Sequence, residues 1–282
     1  MKIQTFDIEE WFHLLECDDT ETEQQWDKFE VRIYKNVERL LDILQQTDTK
    51  ATFFFIGWIA KRYPDIVKKV AQHYEVGCHT MNHQLVWKQT PDQFKQDAEM
   101  GIKMLEDITG NKVRMFRAPG FSIRKSEAWA FETLYELGIT HDSSVFPAHH
   151  AHGGMPEYNH YGPSVIDRNG ARIKEFPIRP ISILGKKIVY SGGGYFRLFP
   201  YWMIKAWATM QEDYVLSYIH PRDLDAGQPM IDSLSIVRKF KSYVGLKHAE
   251  KKLLRLLKDF RFYDIAAADQ MINWDVVPEV NI

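Results

Sequence analysis

The sequence has little cysteine, no long apolar run and almost no net charge, and each absence excludes a class of protein. Only Cys17 and Cys78 are present among 282 residues, so there is no disulfide framework. Cys78 adjoins His79, and we interpret it as a buried free thiol. No run of about 18 apolar residues could span a membrane. A net charge of −2 gives no general attraction to nucleic acid, which we exclude as a partner.

The first residues also lack the apolar stretch of roughly 7–15 residues that a signal peptide needs. Acidic residues at positions 7, 9 and 10 interrupt the first apolar segment. The sequence therefore predicts a cytoplasmic protein. There are no internal repeats or low-complexity tracts, and a hydrophobic content of 45 % predicts a sizeable core.

What is present is an alternation of strand-like and helix-like segments. Residues 51–56 form an apolar, aromatic-rich run that is typical of a strand buried on both faces. Apolar residues recur with helical spacing in 33–44. A second helix is predicted between Thr90 as the cap and Gly110 as the stop, and a third runs from 126 to 138. This order predicts an α/β protein, and 282 residues fit one barrel domain.

Polar residues follow the predicted strands where these end. The strand ends are placed at Asp7, His79, Arg117, Asp142 and His220. In a barrel of alternating strands and helices, the active site is built at the carboxyl ends of the strands. We therefore predict a distorted, incomplete TIM-like (β/α) barrel with these five residues on one rim.

The stretch 79–83 contains two imidazoles four residues apart, which a helix would place on one face, within reach of one metal ion. Asp7 and Glu9 would project to the same side of a strand. His79, His83 and one carboxylate leave a coordination position open for water, as in hydrolytic metal sites. The second carboxylate could then serve as a base.

Three further stretches follow in the chain: Arg-Ala-Pro-Gly-Phe at 117–121, Asp-Ser-Ser-Val-Phe-Pro at 142–147 and Ser-Tyr-Ile-His-Pro at 217–221. With all five stretches in this order, the chain resembles the polysaccharide deacetylases of the NodB-homology group, carbohydrate esterase family 4. The resemblance covers about the first 225 residues. Residues 191–197 and 220–223 resemble the subgroup found in exopolysaccharide loci. The chain departs from the family pattern at Ile8, where a second aspartate is usual, and at Phe146, where a tryptophan is common.

The resemblance implies a metal-dependent hydrolase that removes N-acetyl groups from an acetamido sugar of a polysaccharide or its precursor. One divalent ion, expected to be zinc, would be held by Glu9, His79 and His83, although Asp7 and Glu9 could exchange roles. Asp7 would be the catalytic base and His220 the acid. Arg117 would pair with Asp7, and Asp142 would orient Arg117 or a catalytic group. The expected substrate-binding residues are Gly120, Phe121, Phe146 and Tyr195. Cytoplasmic placement favours a precursor sugar.

The last part of the chain, about 226–282, is predicted to contain one long basic helix from 235 to 259 and a closing strand at 260–265. We interpret the helix as a solvated outer face of the same domain, and a peripheral contact with an anionic membrane is the alternative. Two other functions remain open on this scaffold. One is a metal-independent amidohydrolase of the allantoinase type, and the other is an inactive glycan-binding protein.

Overall fold

The computed structural model describes residues 1–282, which form eleven strands and eleven α-helices. The strands are β1 (Lys2–Ile8), β2 (Thr52–Phe55), β3 (Glu75–Cys78), β4 (Met115–Phe116), β5 (His141–Asp142), β6 (Ser164–Arg168), β7 (Ala171–Glu175), β8 (Ile181–Ile183), β9 (Lys186–Ile188), β10 (Val215–Ile219) and β11 (Glu279–Asn281). The helices are α1 (Glu23–Trp26), α2 (Ile33–Thr47), α3 (Gly57–Arg62), α4 (Pro64–Ala71), α5 (Pro91–Thr109), α6 (Trp129–Glu136), α7 (Gly193–Leu198), α8 (Tyr201–Met210), α9 (Ile236–Tyr243), α10 (Leu246–Asp259) and α11 (Ile265–Met271).

Nine strands form one sheet in the order β10-β1-β2-β3-β4-β5-β7-β6-β11. All neighbouring pairs are parallel except β6 and β7, which form an antiparallel hairpin. β8 and β9 pair separately. The predicted α/β fold is confirmed. The sheet has two edge strands, β10 and β11, so the barrel is incomplete, as predicted.

The central strands form where the sequence is most apolar. All four residues of β2 are buried, and β2 lies between β1 and β3. The predicted helix after Thr90 is confirmed as α5. The Thr90 hydroxyl accepts a hydrogen bond from the Gln93 amide, Pro91 occupies the first turn, and Gly110 ends the helix at φ = 70°. The helices predicted at 33–44 and 126–138 correspond to α2 and α6.

The prediction of one helix over 235–259 is wrong, because two helices, α9 and α10, are separated by Val244 and Gly245. Gly245 adopts φ = 73°, and a Cβ there would lie 2.2 Å from the carbonyl oxygen of Arg197. This left-handed conformation and close approach end the first helix, although the apolar spacing continues through it.

No helix in the structure combines the length and apolar character needed to cross a membrane. A peripheral membrane contact stays a prediction.

The closing strand predicted at 260–265 is also wrong. Only Tyr263 bridges to Ile3 of β1, in an isolated parallel bridge. Asp264 then caps α11 by accepting a hydrogen bond from the Ala267 amide. The last strand is β11, which pairs with β6 at the far edge of the sheet.

Candidate active site

The predicted site residues meet at one edge of the sheet. β1, β3, β4 and β10 end at Ile8, Cys78, Phe116 and Ile219, each within one residue of a predicted site residue. These strands and β5 run parallel, so their carboxyl ends lie along the same edge. The predicted convergence of the five stretches is therefore seen in the fold.

Glu9, His79 and His83 form a buried cluster whose ligand atoms all lie within 4.8 Å of one another. The Glu9 Oε2 atom is 2.8 Å from His83 Nε2. Burial alone would raise the pKa of Glu9, but the imidazoles of His83, His220 and His79 lower it to about 2, so the carboxylate is ionised. This set of two nitrogens and one anionic oxygen fits a divalent ion such as zinc.

The orientation of His79 also suits a metal ligand. Its Nδ1–H donates to the carbonyl oxygen of Arg117 at 2.7 Å, which leaves the lone pair on Nε2 free. Burial lowers the pKa of His79 to about 4, so the imidazole is neutral, as ligation requires.

The segment 79–83 is not the helix that the spacing suggested. Thr80 and His83 adopt φ values of 62° and 55°, and no helix covers the segment. The Thr80 hydroxyl accepts a hydrogen bond from the His83 amide at 3.0 Å, and Asp97 Oδ1 accepts both the amide and the side-chain N–H of Asn82. A tight turn, rather than a helix face, therefore brings the two imidazoles together.

Asp7 is held by a fully buried arginine. Arg117 Nη1 donates to Asp7 Oδ1 at 2.7 Å and to Thr5 Oγ1 at 2.8 Å. Its Nε and Nη2 atoms donate to the carbonyl and hydroxyl oxygens of Ser143. The guanidinium also lies over the ring of Phe54. These contacts fix one oxygen of Asp7 and leave Oδ2 facing His220 at 3.8 Å.

Asp142 does not contact Arg117 by a hydrogen bond. Its two oxygens accept the amide and the hydroxyl of Ser144 at 2.7 and 2.8 Å, and the Ser144 oxygen accepts the amide of Ala118 at 2.8 Å. Asp142 therefore positions the loop after Arg117, while Ser143 holds the arginine itself. Burial, with the neighbouring Asp142 charge, raises the pKa of Glu175 far above its ordinary value.

His220 faces both acidic residues of the first stretch. Its Nε2 atom lies 3.5 Å from Glu9 Oε1 and 3.8 Å from Asp7 Oδ2. Its Nδ1 atom lies 3.0 Å from Asp223 Oδ2. Burial opposes the charged imidazole, but the charges of Glu9, Asp223 and Asp7 outweigh it and raise the pKa of His220 to about 9. A protonated imidazole is therefore available as a proton donor.

Sequence reasoning missed the two residues that support His220. Asp223 lies in the short turn Pro221–Leu224, and its Oδ1 pairs with Nε of Arg197 on α7 at 2.9 Å. The Arg197 and His220 charges, against the effect of burial, lower the pKa of Asp223 well below its usual range. The spacing of Asp223 from His220 was a usable signal, whereas the contact with Arg197 joins distant parts of the chain.

Asp223→Asn is expected to lower the pKa of His220, because it removes a negative charge and keeps the hydrogen-bonding shape. If His220 must be protonated to act, the alkaline limb of the pH profile of turnover will move to lower pH. The profile is measured by acetate release between pH 6 and 10, with Asp213→Asn, an exposed aspartate outside the site, as the control. An unmoved alkaline limb would contradict this role of Asp223.

A further missed residue is His13, which is 3 % exposed and adjoins the cluster. Its Nδ1 atom accepts the Glu10 amide at 3.2 Å, so the proton of the neutral ring lies on Nε2. This Nε2 atom has no partner, and the ring centroid lies 5.9 Å from that of His83. Only its nearness to the first stretch distinguished it in the sequence.

A cavity of about 830 Å³ opens above these groups. All four expected substrate-binding residues line it, together with the metal cluster, Asp7 and His220. Gly120 adopts φ = 60°. The ring of Phe121 packs at 5.5 Å against Phe146 and edge-on at 5.0 Å against Tyr218. An aromatic wall of this kind suits the apolar face of a sugar ring.

Two family models match the chain. Residues 23–136 match the model described as polysaccharide deacetylase, and residues 143–270 match a domain of unknown function, DUF3473. Over the first of these ranges the chain is similar to the polysaccharide deacetylases.

Curated relatives show the same similarity. A peptidoglycan-N-acetylglucosamine deacetylase of Bacillus cereus is 35 % identical over 101 residues, which are 36 % of this chain and 46 % of that protein. A chitooligosaccharide deacetylase of Azorhizobium caulinodans is 35 % identical over 80 residues, 28 % of this chain and 38 % of that protein. The matched region thus spans less than half the length of these relatives.

Solved structures show the same fold. A protein of Mycobacterium smegmatis, assigned by its description to the polysaccharide deacetylases, has a TM-score of 0.69 at 15 % identity and covers 100 % of this chain and 92 % of its own. A protein of Bacillus anthracis described as a CE4 family pseudoenzyme has a TM-score of 0.52 at 15 % identity, with coverages of 95 % and 64 %. The fold is therefore shared with a protein that is described as a pseudoenzyme.

Proposed function

We propose that the protein is a metal-dependent hydrolase that removes the N-acetyl group from an acetamido sugar and releases acetate. The observation that supports this most directly is the joint position of Asp7, His220 and the Glu9–His79–His83 cluster in one cavity. The named relatives act on N-acetylglucosamine-containing material by their descriptions, which agrees with this substrate class.

Glu9, His79 and His83 would hold the divalent ion, and zinc suits these donors best. When bound there, the ion would activate water as a nucleophile and polarise the amide carbonyl. Glu9 rather than Asp7 is the proposed carboxylate ligand, because Asp7 is already held by Arg117 at 2.7 Å, whereas Glu9 Oε2 lies 2.8 Å from His83, which is itself a proposed ligand.

The chain's own residues provide the proton transfers. Asp7 Oδ1 is fixed by Arg117, so Oδ2 is the oxygen that can accept a proton from water. His220, whose Nδ1 is hydrogen-bonded to Asp223, can donate a proton from Nε2 to the departing amine. Asp142 and Ser144 set the loop at Ala118, so that the backbone N–H of Gly120, two residues further on, can bind the carbonyl oxygen.

The reaction is tested by incubating zinc-loaded protein with N-acetylated hexosamine substrates. We expect equimolar acetate and free amine, detected by proton NMR and amine labelling. Chitin oligomers, nucleotide-linked sugars and lipid-linked sugars would rank the form of the substrate. Turnover of allantoin without turnover of any acetamido sugar would favour the ureide amidohydrolase, and glycan binding without turnover would identify an inactive relative.

A further inference from the structure

Arg222 is a buried cation in the cavity that has no partner. It is 9 % exposed, lines the cavity beside His220, and its Nη2 atom makes no hydrogen bond. None of the ion pairs in the structure includes it, although Asp223 is its neighbour in the chain. A buried charge without a partner is costly, and proteins keep one mainly where a ligand supplies the opposite charge.

The nearby carboxylates are already engaged. Asp223 is paired with Arg197 and His220, Glu9 with His83, and Asp7 with Arg117. Each of these carboxylates therefore has a closer contact than any it makes with Arg222. No carboxylate forms an ion pair with Arg222, so its guanidinium is open to an anion that enters the cavity.

Three other cations on the cavity wall also lack a carboxylate partner. Lys187 donates to the carbonyl oxygen of Pro147, and Arg238 donates to the carbonyl oxygens of Leu15 and Glu16. Lys241 is exposed at the same wall. Glu16, the remaining acidic residue of the lining, is paired with His152. The unpaired charge of the cavity is thus positive.

We propose that Arg222 anchors a phosphate group carried by the acetamido sugar, in a cavity whose wall also carries Lys187, Arg238 and Lys241. A guanidinium fork matches phosphate geometry, and four unpaired cations suit a phosphate or diphosphate better than a single carboxylate. This deepens the proposed function, because it makes the substrate a phosphorylated precursor sugar rather than a neutral polymer.

The subsite is tested by binding, so that acetate release is not needed as a readout. Zinc-loaded Asp7→Asn protein, in which turnover is suppressed, is titrated calorimetrically with N-acetylglucosamine 1-phosphate and with neutral N-acetylglucosamine. Adding Arg222→Met should weaken binding of the phosphate by on the order of tenfold to a hundredfold, with binding of the neutral sugar and the zinc content unchanged. Arg114→Met is the matched control, since Arg114 is an exposed arginine just before β4, at the opposite end of the strands.

Equal weakening for both sugars, or no weakening for either, would overturn the proposal. The proposal would also be overturned if binding of an oligosaccharide with uronic acid carboxylates depended on Arg222 and binding of the sugar phosphate did not. The source of the phosphate is distinguished by titration with UDP-N-acetylglucosamine and with a polyprenyl diphosphate N-acetylglucosamine in detergent. Arg222-dependent binding of either one supports a diphosphate-linked substrate. If binding depends on Arg222 but no acetate is ever released by the wild type, the subsite stands and the proposed reaction fails.

Thermal unfolding gives a second readout. A structural arginine loses stabilising contacts on substitution, whereas removal of an unpaired buried charge should leave the melting temperature unchanged or higher. Arg197→Met, which breaks the pair with Asp223 and three bonds to carbonyl oxygens, should lower it. A clear fall in the melting temperature of Arg222→Met would assign that residue a structural role and contradict the proposal.

Discussion

His79→Ala is expected to release the metal and to lower turnover by more than about 100-fold. A residue that only contacts a metal ligand, and does not bind the metal itself, typically contributes about 10–100-fold. The reason is geometric. His79 Nδ1 is fixed on the Arg117 carbonyl, so its Nε2 is the only atom that can serve the cluster. Glu9→Ala should have the same effect, because it removes the anionic ligand.

Metal content is the direct measurement, made by elemental analysis of tag-free protein after dialysis against zinc. His73→Ala serves as the matched control, since His73 is exposed and lies outside the cavity. Anomalous scattering from crystals of the wild type would locate the ion. An ion elsewhere, or full zinc occupancy in His79→Ala, would remove the basis of the proposed metal site.

The strands and the edge where the site lies could be predicted because they depend on local sequence. The apolar run of β2 and the polar residues that follow each strand are readable without tertiary information. The turn at 79–83 could not be predicted from the sequence, because two imidazoles four residues apart are compatible with a helix as well as with a turn. The left-handed φ of Thr80 and the bonds from Asn82 to Asp97 decide between them.

Contacts between distant segments explain the remaining differences. Gly245 breaks the basic helix because it packs against Arg197, a contact that helical periodicity does not report. The support of His220 by Asp223 and Arg197 likewise appears only when α7 reaches the end of β10. The sequence predicted that Asp142 belongs to the site. Only the structure shows that Asp142 accepts hydrogen bonds from Ser144 and not from Arg117.

Asp7→Asn and His220→Ala are each expected to lower turnover of an acetamido sugar by roughly 10²–10⁴-fold, the usual range for a positioned acid or base. Asp7→Asn removes the oxygen that accepts the proton of water but preserves the hydrogen bond from Arg117. His220→Ala removes the donor to the departing amine. Both variants should keep their zinc, because neither residue belongs to the Glu9–His79–His83 cluster.

The two roles are separated by the leaving group of the substrate. An aryl acetate ester departs as a phenolate that needs little protonation, so the loss of an acid matters less for it than for an amide. The ester should therefore rescue His220→Ala much more than Asp7→Asn, because water must still lose its proton in both variants. Equal rescue would show that acid and base are wrongly assigned. Loss of zinc from Asp7→Asn would instead make Asp7 the carboxylate ligand and leave Glu9, whose Oε1 lies 3.5 Å from His220, as the base.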